Sequence, residues 1–94
     1  MQWHVYIIQC LDSSLYTGIT TDITRRFRDH AAGRGAKYFR LHPPKKLVYV
    51  ESGHSRSSAG KREIEIKRLK RAEKIRLTLQ TMSSIDGGEF ERIS

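Results

Sequence analysis

The chain has a single cysteine, Cys10, no asparagine, and no apolar run approaching the roughly 20 residues a membrane-spanning helix needs. One thiol cannot close an intramolecular disulfide, and without a CxxC pair there is no thiolate zinc site. Cys10 lies in the apolar run WHVYIIQC, where it is expected to behave as a small buried hydrophobe. The histidines His4, His30, His42 and His54 show no HxxxH spacing, which argues against histidine-bound zinc. No Walker-type loop is present, and the lone GRG at Gly33–Gly35 is too short to cradle a phosphate. Internal repeats and low-complexity tracts are absent. The start, Met1-Gln2-Trp3-His4, lacks the basic and apolar regions of a signal peptide. The expectation is a soluble cytoplasmic protein with no membrane partner.

Acidic residues are also scarce: 10 Asp and Glu face 18 Lys and Arg, a net charge of +8 with a pI near 10.1. Such an excess favours a polyanionic partner, nucleic acid first and an anionic surface second. The cations concentrate late, at Arg56, Lys61, Arg62, Lys67, Arg68, Lys70, Arg71, Lys74 and Arg76. They form either a solvated helix face or a surface that tracks phosphates with salt-sensitive, sequence-tolerant binding. The segment Lys37-Tyr38-Phe39-Arg40 interleaves cations with aromatics, a pattern suited to unpaired bases.

With 94 residues, 37% of them hydrophobic, the chain has room for one modest core. Trp3–Cys10 is β-branched and aromatic and reads as a buried strand. Turn residues Leu11–Ser14 join it to a second strand, Leu15–Thr20, as a hairpin. Thr21 or Asp22 caps a helix that runs to about Ala32 and stops at Gly33–Gly35. Ala36–Leu41 is ambiguous, and His42-Pro43-Pro44 breaks any helix there. Leu47–Glu51 reads as a third strand, followed by helices over Ser57–Leu69 and Ala72–Leu79. The order β-β-α-β-α-α predicts an α+β fold: a small three-stranded, mainly antiparallel sheet flanked by helices, forming one domain over 1–80. Residues 81–94, with Ser83-Ser84 and Gly87-Gly88, are expected to be a disordered tail.

At about 100° per residue, Ile23, Phe27, His30 and Ala31 share one stripe of the first helix, with Arg26 about 60° from Ile23. Arg25 and Arg28 point away. Arg26 is thus carried toward the sheet beside His30, either as a snorkelling surface arginine or as a bidentate phosphate ligand. On the next helix Glu63 falls between Ala59 and Ile66 on the apolar stripe. A carboxylate there needs an ion-pair partner or a hard divalent cation such as Mg²⁺. Tyr6 and Tyr16 flank the hairpin turn. They face the same side of the sheet only if the loop between their strands is odd in length or bulged. Gly18 inside a strand marks a close approach by another group.

His4-Val5-Tyr6, Tyr16-Thr17-Gly18, Arg26 and Glu63, in this order and spacing, resemble the GIY-YIG nuclease domain over about Trp3–Lys74. SLYTGITTDITRRFRDH, GAKYFR and AGKREIEIKRLKRAEK resemble its small single-domain bacterial members. The triplets depart from the family pattern at His4, Val5 and Thr17, which changes strand neighbours rather than chemical groups. The resemblance implies that the triplets lie on adjacent antiparallel strands with both phenols on one face. It implies metal-dependent phosphodiester hydrolysis on nucleic acid, DNA above RNA, extending to structure-directed DNA processing. Tyr6 or Tyr16 would activate or orient water, Arg26 would stabilise the phosphate, His30 would assist, and Glu63 would hold a single Mg²⁺ or Mn²⁺. Arg25, Arg34, Lys37, Arg40, Lys61 and Arg62 are the cations expected to contact nucleic acid. A second copy of the chain or another protein would help recruit substrate. The alternative is a non-catalytic nucleic-acid-binding module of the same fold.

Overall fold

A computed structural model describes residues 1–34 and 36–84; Gly35, in the expected loop, and residues 85–94, in the expected tail, lie outside the described residues. Strands β1 (Trp3–Cys10), β2 (Leu15–Thr20) and β3 (Pro44–His54) form one antiparallel sheet in the order β2-β1-β3. Helices α1 (Ile23–Ala31) and α2 (Tyr38–Leu41) precede β3, and α3 (Arg56–Lys67) and α4 (Arg71–Ser84) follow it. The α+β architecture is as the sequence predicts. The ambiguous stretch before Pro43 supplies α2, and α4 continues through residues 81–84 before the described chain ends.

β1 is central and covered on both faces, which explains its unbroken apolar run Val5–Ile8. Val5 and Ile7 pack with Val48, Tyr49, Ala59 and Ile66 under α3. Tyr6, Ile8 and Cys10 pack on the other face with Leu47, Phe39, Ile23 and Phe27. Burial pushes the Cys10 thiol pKa up, in keeping with an inert core residue.

β3 is longer than the predicted Leu47–Glu51, and three register shifts interrupt its pairing with β1. Ile7 pairs with Tyr49 but Ile8 pairs with Leu47, so one extra residue is accommodated. This bulge sends Leu47 to the α1 face and Tyr49 to the α3 face although they are two residues apart. A second shift lies between Trp3 and Val5, opposite Gly53, whose φ of 82° few other residues adopt.

Local signals set the helix ends. Asp22 accepts from the Arg25 N–H at 3.1 Å as the α1 N-cap. Gly33, φ 79°, ends the helix, with Gly33 N–H to His30 O at 3.1 Å and Arg34 N–H to Asp29 O at 2.8 Å. Ser55 caps α3 through a reciprocal box with Ser58. Ala31 departs from its expected place on the core stripe: it is exposed, because α1 ends there and the chain turns away from the sheet. Among the described residues no helix is long and apolar enough to cross a membrane.

Candidate active site

The hairpin register decides whether the phenols can meet. Gln9 pairs with Leu15, leaving the odd number of residues, 10 to 14, between the last paired positions. Tyr6 consequently pairs with Gly18 and Ile8 with Tyr16, which puts both tyrosines on one face. Gly18 has a steric reason. A Cβ there would sit 2.5 Å from the Tyr6 hydroxyl oxygen, so only glycine lets the phenol lie across the β2 edge strand. The two rings lie 6.4 Å apart, centroid to centroid.

α1 delivers two groups to this face. His30 is 1% exposed, and its Nε2 lies 3.0 Å from the Tyr6 hydroxyl. Burial, reinforced by the neighbouring Arg26 charge, lowers the His30 pKa from 6.5 to about 4, so the ring is neutral at physiological pH. Burial also dominates at Tyr6: although the Arg26 guanidinium opposes it, the phenol rises from 10.0 to about 12. The pair therefore rests as phenol and imidazole. The Tyr6 hydroxyl and His30 Nε2 share one hydrogen bond, which leaves the ring's Nδ1 outside the pair. That Nδ1 and the Arg26 Nε are buried with no hydrogen-bond partner, both uncommon and costly.

Aromatic residues wall the pair in. Phe39 of α2 lies 4.2 Å from the His30 ring and 4.6 Å from Tyr16, centroid to centroid. Tyr38 lies 5.3 Å from Tyr16 and stacks on His42 at 4.3 Å, and His42 is anchored by Asp12. Phe39 and His42 had been legible only as part of an aromatic-cationic stretch and as a helix stop. The place of Phe39 beside His30 and of His42 against Tyr38 depends on the turn that folds α2 back onto the sheet, which no local pattern specifies.

Glu63 enters from α3, which packs across β2 and β1, and its carboxylate contributes to raising the Tyr6 pKa. Its side chain is 23% exposed and pairs with Lys67 at 3.2 Å, one helical turn on, while Lys67 is itself 53% exposed. A long, exposed lysine can yield such a partner at little cost. No group of three or more metal-ligating side chains occurs among the described residues. Glu63 thus fits a Mg²⁺-type cation that takes one protein carboxylate and fills its shell with water and phosphate oxygens, and does not fit an all-protein cage.

The expected nucleic-acid cations divide into engaged and open groups. Arg34 pairs with Asp29 at 3.3 Å, and Arg62 is held by Glu51 at 3.1 Å and Glu65 at 3.5 Å. Arg25, Lys37, Arg40 and Lys61 are exposed and make no ion pair among the described residues. Arg26 borders two clefts. One, of about 190 Å³, includes Asp22, Arg25 and Asp29; the other, of about 360 Å³, includes Trp3, Ile19 and Arg56.

Comparison with known proteins identifies the family. The family model described as the GIY-YIG catalytic domain matches residues 2–76. The UPF0213 protein of Natronomonas pharaonis is 51% identical over 74 residues, 79% of this chain and 87% of its own. The UPF0213 protein BH0048 of Halalkalibacterium halodurans is 43% identical over 91 residues, 97% of this chain and 92% of its own. Its solution NMR structure, reported from Bacillus halodurans, matches with a TM-score of 0.55 at 44% identity, covering 85% of each chain. The NMR structure of protein EF2693 from E. faecalis gives 0.57 at 32% identity, covering 92% of this chain and 91% of that one. Relatives occur in archaea as well as bacteria. The chain belongs to the GIY-YIG catalytic-domain family, in its UPF0213 branch of small proteins.

Proposed function

We propose that this protein hydrolyses phosphodiester bonds of DNA, with Tyr6, Tyr16, Arg26, His30 and Glu63 around the scissile phosphate. Membership of the family implies a nucleic-acid substrate, and its domains generally use a divalent metal. The observation that carries the reading is the buried phenol–imidazole pair, 3.0 Å apart, beside an arginine whose Nε has no partner. Stability gains nothing from leaving such a group unsatisfied, and Arg26 borders two clefts from which a phosphate would meet its guanidinium.

Arg26 binds a non-bridging oxygen and meets the negative charge that grows as water attacks phosphorus. A phenol with a pKa of about 12 is not a free phenolate base at neutral pH. Tyr6 instead accepts the water's proton on its oxygen while passing its own proton to His30 Nε2. The water oxygen–phosphorus bond forms, the bond to the leaving oxygen breaks, and the proton rests on His30. An anionic phosphodiester beside Arg26 offsets the cationic field that weakens His30 as a base. Tyr16, edge-on to His30 at 5.7 Å, lines the wall and orients the water. A divalent cation on Glu63 would supply Lewis-acid stabilisation of the phosphate and leaving oxygen.

The test is incubation of purified protein with branched, flapped and single-stranded DNA in Mg²⁺, beside an Arg26→Ala/Glu63→Gln double variant. Cleavage by the wild type alone is the expected result. If both proteins leave every substrate intact yet bind it with chelator-insensitive affinity, the chain is a binding module and the proposal fails.

A further inference from the structure

The cleft on the far side of Arg26 is built differently from the site it adjoins. Trp3, Ile19, Thr20, Thr21, Arg26 and Arg56 line it, about 360 Å³ in volume. No carboxylate is among them, whereas the cleft on the other flank of Arg26 includes Asp22 and Asp29. Only the first therefore offers an anion an undivided positive field. Arg56, the first residue of α3, makes no ion pair among the described residues. Its guanidinium carbon stands 5.5 Å over the centroid of the Trp3 ring. That placement is a cation–π contact, which orders the long side chain before any ligand arrives. Thr20 and Thr21 complete the lining, the Thr20 hydroxyl being turned to the Asp22 backbone, where it donates to the carbonyl oxygen at 3.3 Å and accepts from the N–H at 3.1 Å.

We propose that this cleft is a second phosphate subsite: Arg56 holds a backbone phosphate next to the one gripped by Arg26, and Trp3 is the positioning residue that presents Arg56. The inference rests on the nuclease reading and deepens it by fixing which way the strand leaves the reacting phosphate. Arg26 is shared between the reacting pair and the cleft, so the strand runs from the Tyr6 face past Arg26 toward the start of α3. Arg56 touches only the flanking phosphate. It should govern substrate affinity and leave the chemical step alone.

The experiment uses the full chain and an oligodeoxynucleotide that the wild type cleaves, with one neutral methylphosphonate moved position by position along the strand. For wild type, one position next to the scissile phosphate should raise KM about tenfold, as expected for losing a charge-assisted contact. Arg56→Ala should raise KM to the same degree on the unmodified strand, keep kcat, and become insensitive to that one substitution. The slope of log affinity against log salt should fall by about 1, measured with the cleavage-deficient Tyr6→Phe background. Trp3→Leu should reproduce part of the loss and Trp3→Phe should restore it, a pattern that mere misfolding would not give. Lys45→Ala removes an exposed charge elsewhere and should leave the methylphosphonate profile unchanged. If wild type cleaves but Arg56→Ala keeps the wild-type profile, the subsite is wrong and the nuclease reading stands. If wild type neither cleaves nor binds any oligonucleotide, both fall together.

Discussion

The sheet carries the same four residue types twice. On one face Tyr6, His30 and Arg26 gather with Glu63 nearby; on the other, Tyr49, His54 and Arg62 gather around Glu51. The second set is closed on itself. Tyr49 donates to Glu51 Oε2, His54 Nε2 lies 2.7 Å from Oε1, and Arg62 Nε reaches both oxygens at 3.1 and 3.2 Å. The spare His54 nitrogen meets Ser58 at 2.8 Å. In the first set Glu63 is drawn off to Lys67, and the Arg26 Nε and His30 Nδ1 are left without partners. The completed network joins β3 to α3, while the other leaves two buried nitrogens unpaired. Residue inventory alone would not separate a closed network from an open one; the hydrogen-bond accounting does.

The sharpest break of this comparison is kinetic. Removing the phenol oxygen with Tyr6→Phe, or the guanidinium with Arg26→Ala, should lower single-turnover cleavage about 10³-fold, the scale of a lost transition-state contact. Tyr49→Phe on the other face should leave the rate within a few-fold, and equal losses at both tyrosines would erase the distinction. Gly18→Ala comes next. The added methyl must displace the Tyr6 ring, which should slow cleavage about 10²-fold through misalignment and destabilise the fold by about 1–3 kcal/mol through overpacking. Urea unfolding measures the second effect. Cleavage by a stable Gly18→Ala protein at the wild-type rate would show that the phenol's position is not critical.

Glu51→Ala should invert the pattern. It strands Tyr49, His54 and Arg62 together, and should cost about 2–3 kcal/mol in urea unfolding while the folded fraction cleaves normally. Acid should separate the faces by window. His30 has its pKa depressed from 6.5 to about 4, so the unfolded chain binds the extra proton between those values. Stability is thus flat above pH 6.5 and declines as the pH falls toward 4. His30→Phe should abolish that decline. At Glu51, burial pushes the pKa up but hydrogen bonds from Tyr49 and His54 and the Arg62 charge hold it below the ordinary value of 4.5. Its contribution is present above that value and is lost only at lower pH. The smallest effect belongs to Arg34→Ala. The Asp29 pair involves a side chain 68% exposed, and its loss should change stability by less than about 0.5 kcal/mol.

Much of the site could be read beforehand because its determinants are local. The helical period placed Arg26 beside His30, and a carboxylate on the apolar stripe singled out Glu63. The glycine within Leu15–Thr20 announced a close neighbour, which proves to be the Tyr6 phenol. Other features depend on partners distant along the chain. The odd hairpin loop that brings Tyr6 and Tyr16 to one face rests on the three-residue turn at Leu11–Ser13, where Ser13 takes φ 69°. The Arg26 guanidinium favours ionisation of the Tyr6 phenol. Burial is larger, however, and the net shift is upward. The bulge at Val48–Tyr49 that assembles the Glu51 network left no trace in residue type, since four successive apolar or aromatic residues fit either alternation.

By itself the sequence determined the order of elements apart from α2, the buried first strand, the start of α1 and the residues able to do chemistry, since each follows from periodicity or from neighbours within one turn. Tertiary structure alone decided which Tyr-His-Arg-Glu set is satisfied and which is open, and which way the Tyr6 and His30 pKa values move. Those properties sum desolvation and charge over residues far apart in the chain, and only folding brings them within reach of one another.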